Sequence, residues 1–215
     1  MDLKEKFVIT INRELGSGGR TIGQKLAEKL NVPFYDKALI KALEEKYNLT
    51  VEEIEKLKGR NHSWWAELKR IMRLGQSATY NPQSYQVNLA AEPDLLTTDE
   101  MFEAEQEILK GIAQDESCIV AGRSGFYVFR NHPNHLSILI QASMDFRVER
   151  ITRKQNTTPE EARKTIDKVD KMRENYVNKY TKTSRYDTRN YDFVISADGK
   201  TEDEIVSLIL QYIGA

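Results

Sequence analysis

Five apolar runs recur along the chain at wide intervals: Phe7–Ile11, Pro33–Tyr35, Cys118–Ala121, Leu136–Gln141 and Phe193–Ser196. They are continuous rather than alternating. That is the pattern of strands covered on both faces, as in a parallel sheet. Helical patterns lie between them, so the chain reads as strand–helix–strand units. Ile22, Leu26 and Leu30 follow the first run at helical spacing. Four segments fit the S/T-x-x-E capping box: Thr50 to Glu53, Thr97 to Glu100, Thr158 to Glu161 and Thr201 to Glu204. Pro159 adds the favoured first-turn proline. The third box opens a long helix, Pro159 to Lys179, with Ile166, Val169, Met172, Tyr176 and Tyr180 on one stripe. The last opens a terminal helix carrying Ile205, Leu208, Ile209 and Tyr212. The expected fold is α/β, in three layers: a mostly parallel five-stranded sheet with helices on both faces.

Two regions do not fit a sheet core. Residues 61–96 mix aromatics, amides and two prolines with a short amphipathic helix, and read as part of a lid or substrate-side insertion after the second strand. Residues 147–189 are helical and rich in Arg and Lys.

Between the first strand and its helix lies Leu15-Gly16-Ser17-Gly18-Gly19-Arg20-Thr21. A glycine loop feeding a helix N-terminus aims backbone N–H groups at an anion. The segment approaches the pattern G-x-x-x-x-G-K-[ST]. With Gly19-Arg20-Thr21 on its last three positions, Glu14 stands where the first glycine belongs and Arg20 replaces the lysine. Thr21 keeps the hydroxyl that meets Mg²⁺ in such loops. A guanidinium bridges two phosphate oxygens as a planar fork but does not copy a compact ammonium. The competing reading is a glycine-rich turn that binds nothing.

Composition narrows the class. The chain has 215 residues, 40% of them hydrophobic, and a net charge of only −1 with 30% charged residues. No global field for nucleic acid follows from that balance. The single Cys118 excludes an internal disulfide and a cysteine zinc cluster, and its apolar run makes it a buried strand residue. No run approaches the ~20 apolar residues of a membrane helix. A soluble cytoplasmic protein that acts on a small molecule, with no nucleic-acid or membrane partner, is the expectation. The oligomeric state is left open.

Several side chains then become candidates for chemistry. Arg123 follows the Cys118–Ala121 run within AGRSG, where flanking glycines let it reach a ligand at the sheet edge; a surface loop arginine is the alternative. Asp36 ends the second run and either faces a ligand or caps a helix starting at Lys37. Arg147, Arg150 and Arg153 share one helix at spacings of three, with Lys154 beside them; Arg163, Lys171 and Arg173 lie on the long helix, and Arg185 and Arg189 flank a tyrosine-rich turn. Such cations suit phosphoryl transfer, where electrostatic positioning does most of the work. They also suit a solvated helix surface. His62, His132 and His135 show no metal-ligand spacing, and the last two read as exposed around Pro133. Trp64-Trp65 could stack a base, though packing within the insertion is the commoner use.

Four segments in order resemble the cytidylate kinase-like family of P-loop nucleoside monophosphate kinases: ITINRELGSGGRTIGQKLAEKLNVPFYDKALI, MFEAEQEILKGIAQDESCIVAGRSGFYVF, ILIQASMDFRVERITRK, and TPEEARKTIDKVDKMRENYVNKYT with NYDFVIS. The resemblance implies one P-loop kinase domain over residues 1–215, with a helical acceptor-side insertion at 42–97 and a helical lid at 147–189. It implies transfer of the ATP γ-phosphoryl to a nucleoside monophosphate with Mg²⁺. By position, Gly16, Ser17, Gly18, Gly19, Arg20 and Thr21 would hold ATP phosphates, with Thr21 on the metal. Arg20, Arg150, Arg153 and Arg173 would serve catalysis, and Asp36, Lys41 and Arg123 would face the acceptor. The chain departs from the family pattern at Glu14, at Arg20, at Ser124 where an aspartate is usual, and near Ala42, where Lys41 is the nearest cation in place of an arginine. A nucleotide-binding regulator without transferase activity and a kinase for a non-nucleotide small molecule remain the alternatives.

Overall fold

The structure is a computed structural model that describes residues 1–36, 40, 49–60, 65–66 and 99–215. Its strands are β1 (Val8–Arg13), β2 (Phe34–Asp36), β3 (Cys118–Ala121), β4 (His135–Gln141) and β5 (Phe193–Ser196). Its helices are α1 (Gly19–Leu30), α2 (Val51–Arg60), α3 (Asp99–Asp115), α4 (Gly125–Val128), α5 (Met144–Gln155), α6 (Pro159–Thr181) and α7 (Glu202–Ile213). The chain divides into two compact units, Met1–Tyr35 with Ser117–Ala215, and Asp36–Glu116.

The strands form one sheet in the order β2-β3-β1-β4-β5. β1 runs parallel to β3 and to β4, and β4 runs parallel to β5. Every strand expected from the apolar runs is present. Alternate residues of β4 enter opposite faces. Ile138 and Ile140 join Ile9, Ile11, Ile22, Leu26, Ile205 and Ile209 in a core beneath α1 and α7. Leu139 instead joins Phe126, Val177 and Tyr191 beneath α4 and α6. Burial on both faces is why the runs were continuous.

Both capping boxes of the larger unit form as expected. Thr158 and Thr201 each accept the amide of the glutamate three residues on, and each glutamate reaches back to the cap amide. Thr50 accepts from Glu53 N at 3.2 Å; Thr97 lies outside the described residues. Within the smaller unit, α2 is tied to α3 by the Lys58–Glu107 ion pair, and Ile54, Ile108, Leu109 and Ile112 are fully buried. Of the expected insertion at 42–97, residues 49–60 and 65–66 are described, and Trp65 is buried.

Two local readings change. β1 runs two residues past Ile11, because Asn12 pairs with Leu139 and Arg13 with Ile140. Ladder bonds to a central neighbour hold these polar residues in a strand that their hydropathy does not announce. His135 is not an exposed turn residue: it opens β4, and its Nε2 meets Thr10 Oγ1 at 2.8 Å. Burial lowers its pKa to about 4. Cys118 is buried, as expected. Among the described residues no helix is long and apolar enough to cross a membrane.

Candidate active site

β1 is the middle strand, flanked by β3 and β4, and the chain leaves it for the far edge before returning. Ligands in such sheets bind beyond the carboxyl ends of the strands, where the order reverses. The glycine loop occupies that position. Gly16 and Gly18 both adopt φ +87°, which a side chain would strain. Ser17 folds back, and its amide and hydroxyl donate to Glu14 O at 3.3 and 2.9 Å. Gly18 caps α1 in the left-handed region without any side-chain cap. The first-turn amides of α1 therefore have no side-chain cap, an arrangement that suits an anion. Arg20 and Thr21 lie half-buried on that turn.

Helix α5 closes over the loop. A Cβ at Gly16 would stand 2.9 Å from Arg147 Cβ, and one at Gly18 would stand 3.5 Å from the Arg150 guanidinium carbon. Arg150 thus hangs beside the uncapped amides. Its Nη2 pairs with Glu202 Oε1 at 2.6 Å. Burial opposes ionisation of Glu202, but the hydrogen bond and charge of Arg150 hold its pKa below the ordinary value. Arg153, on the same helix, is exposed.

Behind the loop lies a buried ionic frame centred on Asp170 of α6. Asp170 Oδ1 accepts the Leu15 amide at 3.0 Å. Its carboxylate also receives Arg147 Nη1 at 2.6 Å and Arg185 Nη1 at 3.3 Å. Arg173 Nη1 stands 3.7 Å from Asp170 and donates to Arg13 O at 3.3 Å. Arg185, 0% exposed, also reaches Arg13 O and Asn12 Oδ1. Tyr191 steadies this corner by donating to Arg185 O at 2.7 Å, and burial pushes its phenol up to about 12. Glu14, the residue in the first-glycine position, accepts the Ala142 amide at 2.9 Å with Arg147 Nε 3.8 Å away. The departure at Glu14 therefore has a structural use: it fastens the loop to the end of β4.

The end of β3 is different. Gly122, Arg123 and Ser124 adopt φ of +81°, +53° and +52° in succession. Each non-glycine residue held there costs about 1–3 kcal/mol, and such strain concentrates at functional sites. Arg123 is buried, with its guanidinium 4.8 Å from the Tyr176 ring centroid. The Ser124 hydroxyl is buried and has no hydrogen-bond partner among the described residues. Asp36 is buried as the last residue of β2. Lys41 lies outside the described residues.

Of the expected site residues, the structure places Gly16 to Thr21, Arg150 and Arg173 around one loop. Arg147 sits in the frame behind it. Asp170 and Arg13 were not singled out from the sequence. Asp170 is one of several acids on a charged helix, and its partner Leu15 is 155 residues away. No motif signal marks Arg13.

Sheet order, loop and flanking arginines together define a P-loop kinase fold. The chain belongs to the cytidylate kinase-like family, whose model matches residues 8–198. No curated protein matches significantly. Among solved structures, an uncharacterized protein from Eubacterium ventriosum is similar at 23% identity and TM-score 0.68, covering 98% of this chain and 99% of that one. Shikimate kinase from Acinetobacter baumannii, in complex with shikimate, is similar at 14% identity and TM-score 0.50, covering 98% and 94%. At these identities the two likenesses speak for the fold alone.

Proposed function

We propose that this chain is an ATP- and Mg²⁺-dependent phosphotransferase whose acceptor is a nucleoside monophosphate. The carrying observation is the uncapped N-terminus of α1 behind Gly16 and Gly18, with the Arg150 guanidinium beside it. Backbone amides and a guanidinium there suit donor phosphates. The Thr21 hydroxyl, on the same turn, suits a metal that takes most remaining ligands from phosphate and water. Mg²⁺ would supply charge neutralisation between the phosphates when bound. Arg20 replaces the loop lysine as a forked donor, Arg150 and Arg173 add positive charge, and positioning provides most of the rate gain. Closure of residues 147–189 would exclude water from the transfer.

Glu14 does not argue against competence, since its carboxylate is used by Ala142 N. A coupled ADP-release assay with Mg-ATP and a panel of nucleoside monophosphates tests the reading. Turnover with at least one is expected. ATP binding without turnover on any of them would refute it in favour of a silent nucleotide binder. Including shikimate separates the remaining alternative, a non-nucleotide acceptor.

A further inference from the structure

Two consecutive amides between β4 and α5 are each received by a carboxylate, and the two carboxylates come from opposite flanks of β4. Ala142 N donates to Glu14 Oε2 at 2.9 Å. Ser143 N donates to the Asp198 oxygens at 2.9 and 3.1 Å, and Ser143 Oγ donates to Asp198 Oδ1 at 2.5 Å. Glu14 follows β1 and Asp198 follows β5, the two neighbours of β4 in the sheet. Ser143 is also the N-cap of α5, and its hydroxyl oxygen accepts the Phe146 amide at 3.3 Å. One hydroxyl thus donates to Asp198 and accepts from the helix, so the cap is fixed from both sides. Asp198 is itself held. Its turn lies on the end of β4, with Ala197 N donating to Gln141 O at 2.8 Å and Lys200 N to Ala197 O at 3.1 Å. Ser196 Oγ adds a bond to Asp198 Oδ2 at 2.7 Å. The Ser143 and Ser196 hydroxyls hold the Asp198 carboxyl below its ordinary pKa, so it stays an acceptor at neutral pH.

We infer that Asp198 is a positioning residue for the donor nucleoside triphosphate: through the Ser143 cap it sets the start of α5 and so holds Arg150 beside the glycine loop. This rests on the phosphotransferase reading above, in which Arg150 meets the donor phosphates. Arg150 lies two helical turns after Ser143, about 10 Å along the axis and on the same side of α5. A shift of the cap is therefore carried by the helix to Arg147 at Gly16 and to the Arg150 guanidinium at Gly18. The segment after β5 meets α5 a second time, through Glu202 at Arg150. A donor phosphate that takes Arg150 from Glu202 removes this second contact, and the bonds of Asp198 to Ser143 then keep the segment on the helix. Glu14 shares the task from the other flank, but its carbonyl also accepts from Ser17 within the loop. Asp198 lies outside the loop and is the cleaner residue to change.

The test is a double-mutant cycle on the full chain: wild type, Asp198→Ala, Arg150→Met and the double variant, each titrated with adenylyl imidodiphosphate and Mg²⁺ by calorimetry. Asp198→Ala should weaken binding roughly two- to tenfold, the range of a lost hydrogen bond. In the Arg150→Met background the same change should cost less than about twofold, because the group that Asp198 positions is gone. Asp198→Asn keeps an oxygen for the Ser143 amide and hydroxyl and should recover part of the loss. Ser143→Ala alters the cap while leaving the turn at 197–200 in place. It should show the same coupling to Arg150, and it carries the test should Asp198→Ala fail to fold. A merely structural Asp198 would weaken binding equally in both backgrounds; that result, or no loss in either, overturns the inference. Unchanged affinity in Arg150→Met also overturns it, since nothing would then be positioned. If wild type does not bind the analogue, the phosphotransferase reading itself fails, an outcome distinct from the others.

Discussion

The two sides of the glycine loop are built on opposite terms. Behind it, Asp170, Arg147, Arg185 and Glu14 form a buried ionic frame: the Asp170 carboxylate accepts from both guanidiniums and the Leu15 amide, and Glu14 from the Ala142 amide, while Arg147 Nε and Arg185 Nε have no hydrogen-bond partner among the described residues. Before it, Gly122 to Ser124 hold left-handed backbone, and Ser124 leaves a buried hydroxyl without a partner among the described residues. Two guanidiniums and two carboxylates make the frame, so its formal charges cancel. Buried charges that are paired hold structure, whereas backbone strain concentrates at functional sites.

The largest effect that would break this contrast comes from Asp170→Asn. Removing the carboxylate leaves Arg147 and Arg185 buried without their counter-charge, so stability should fall by about 3–5 kcal/mol. Urea unfolding measures it, and a loss below about 1 kcal/mol would mean that the frame is not holding the loop. Next is pH. His135 lies under the turn, because its partner Thr10 also packs its methyl against Gly125. Its folded pKa of about 4 lies below the ordinary 6.5. Between these values the unfolded chain binds more protons, so stability should rise with pH across that window and level off above it. The gain is up to about 3 kcal/mol. His135→Gln should flatten that part of the stability profile.

Smaller effects probe the loop side. Arg150→Met should weaken ATP-analogue binding about tenfold. It should leave unfolding nearly unchanged, since the Arg150–Glu202 pair is only partly buried. Glu202→Gln should do the reverse on a smaller scale. Freed of its carboxylate, Arg150 becomes available to phosphate, and affinity should rise by roughly a factor of two to five, the range of a weak ion pair. An unchanged affinity would show that Glu202 does not compete for Arg150.

Much of this was legible in the chain. Strand cores were readable because burial on both faces forces continuous apolar runs. Helix starts were readable because a threonine and a glutamate three residues apart satisfy amides locally. Gly16 and Gly18 announced the loop because only glycine tolerates the backbone there. What escaped were relations between distant residues. Arg13 carries no signal of its own in the sequence, and only the β4 ladder places it in a strand. Arg147 looked like one more surface arginine beside Arg150 and Arg153, yet helix geometry buried it and left Arg153 exposed. Glu14 looked like a flaw in a motif, and its use depends on Ala142, an amide far along the chain.

The amino-acid sequence by itself determined the fold class, the family and the place of the glycine loop, because periodicity, caps and backbone freedom act between near neighbours. Only the tertiary structure decided which arginines join the buried frame and which lie beside the glycine loop. That division depends on which carboxylate each guanidinium meets and how much water is left around it, and both are set by the packing of α5 and α6 against the ends of β1 and β4.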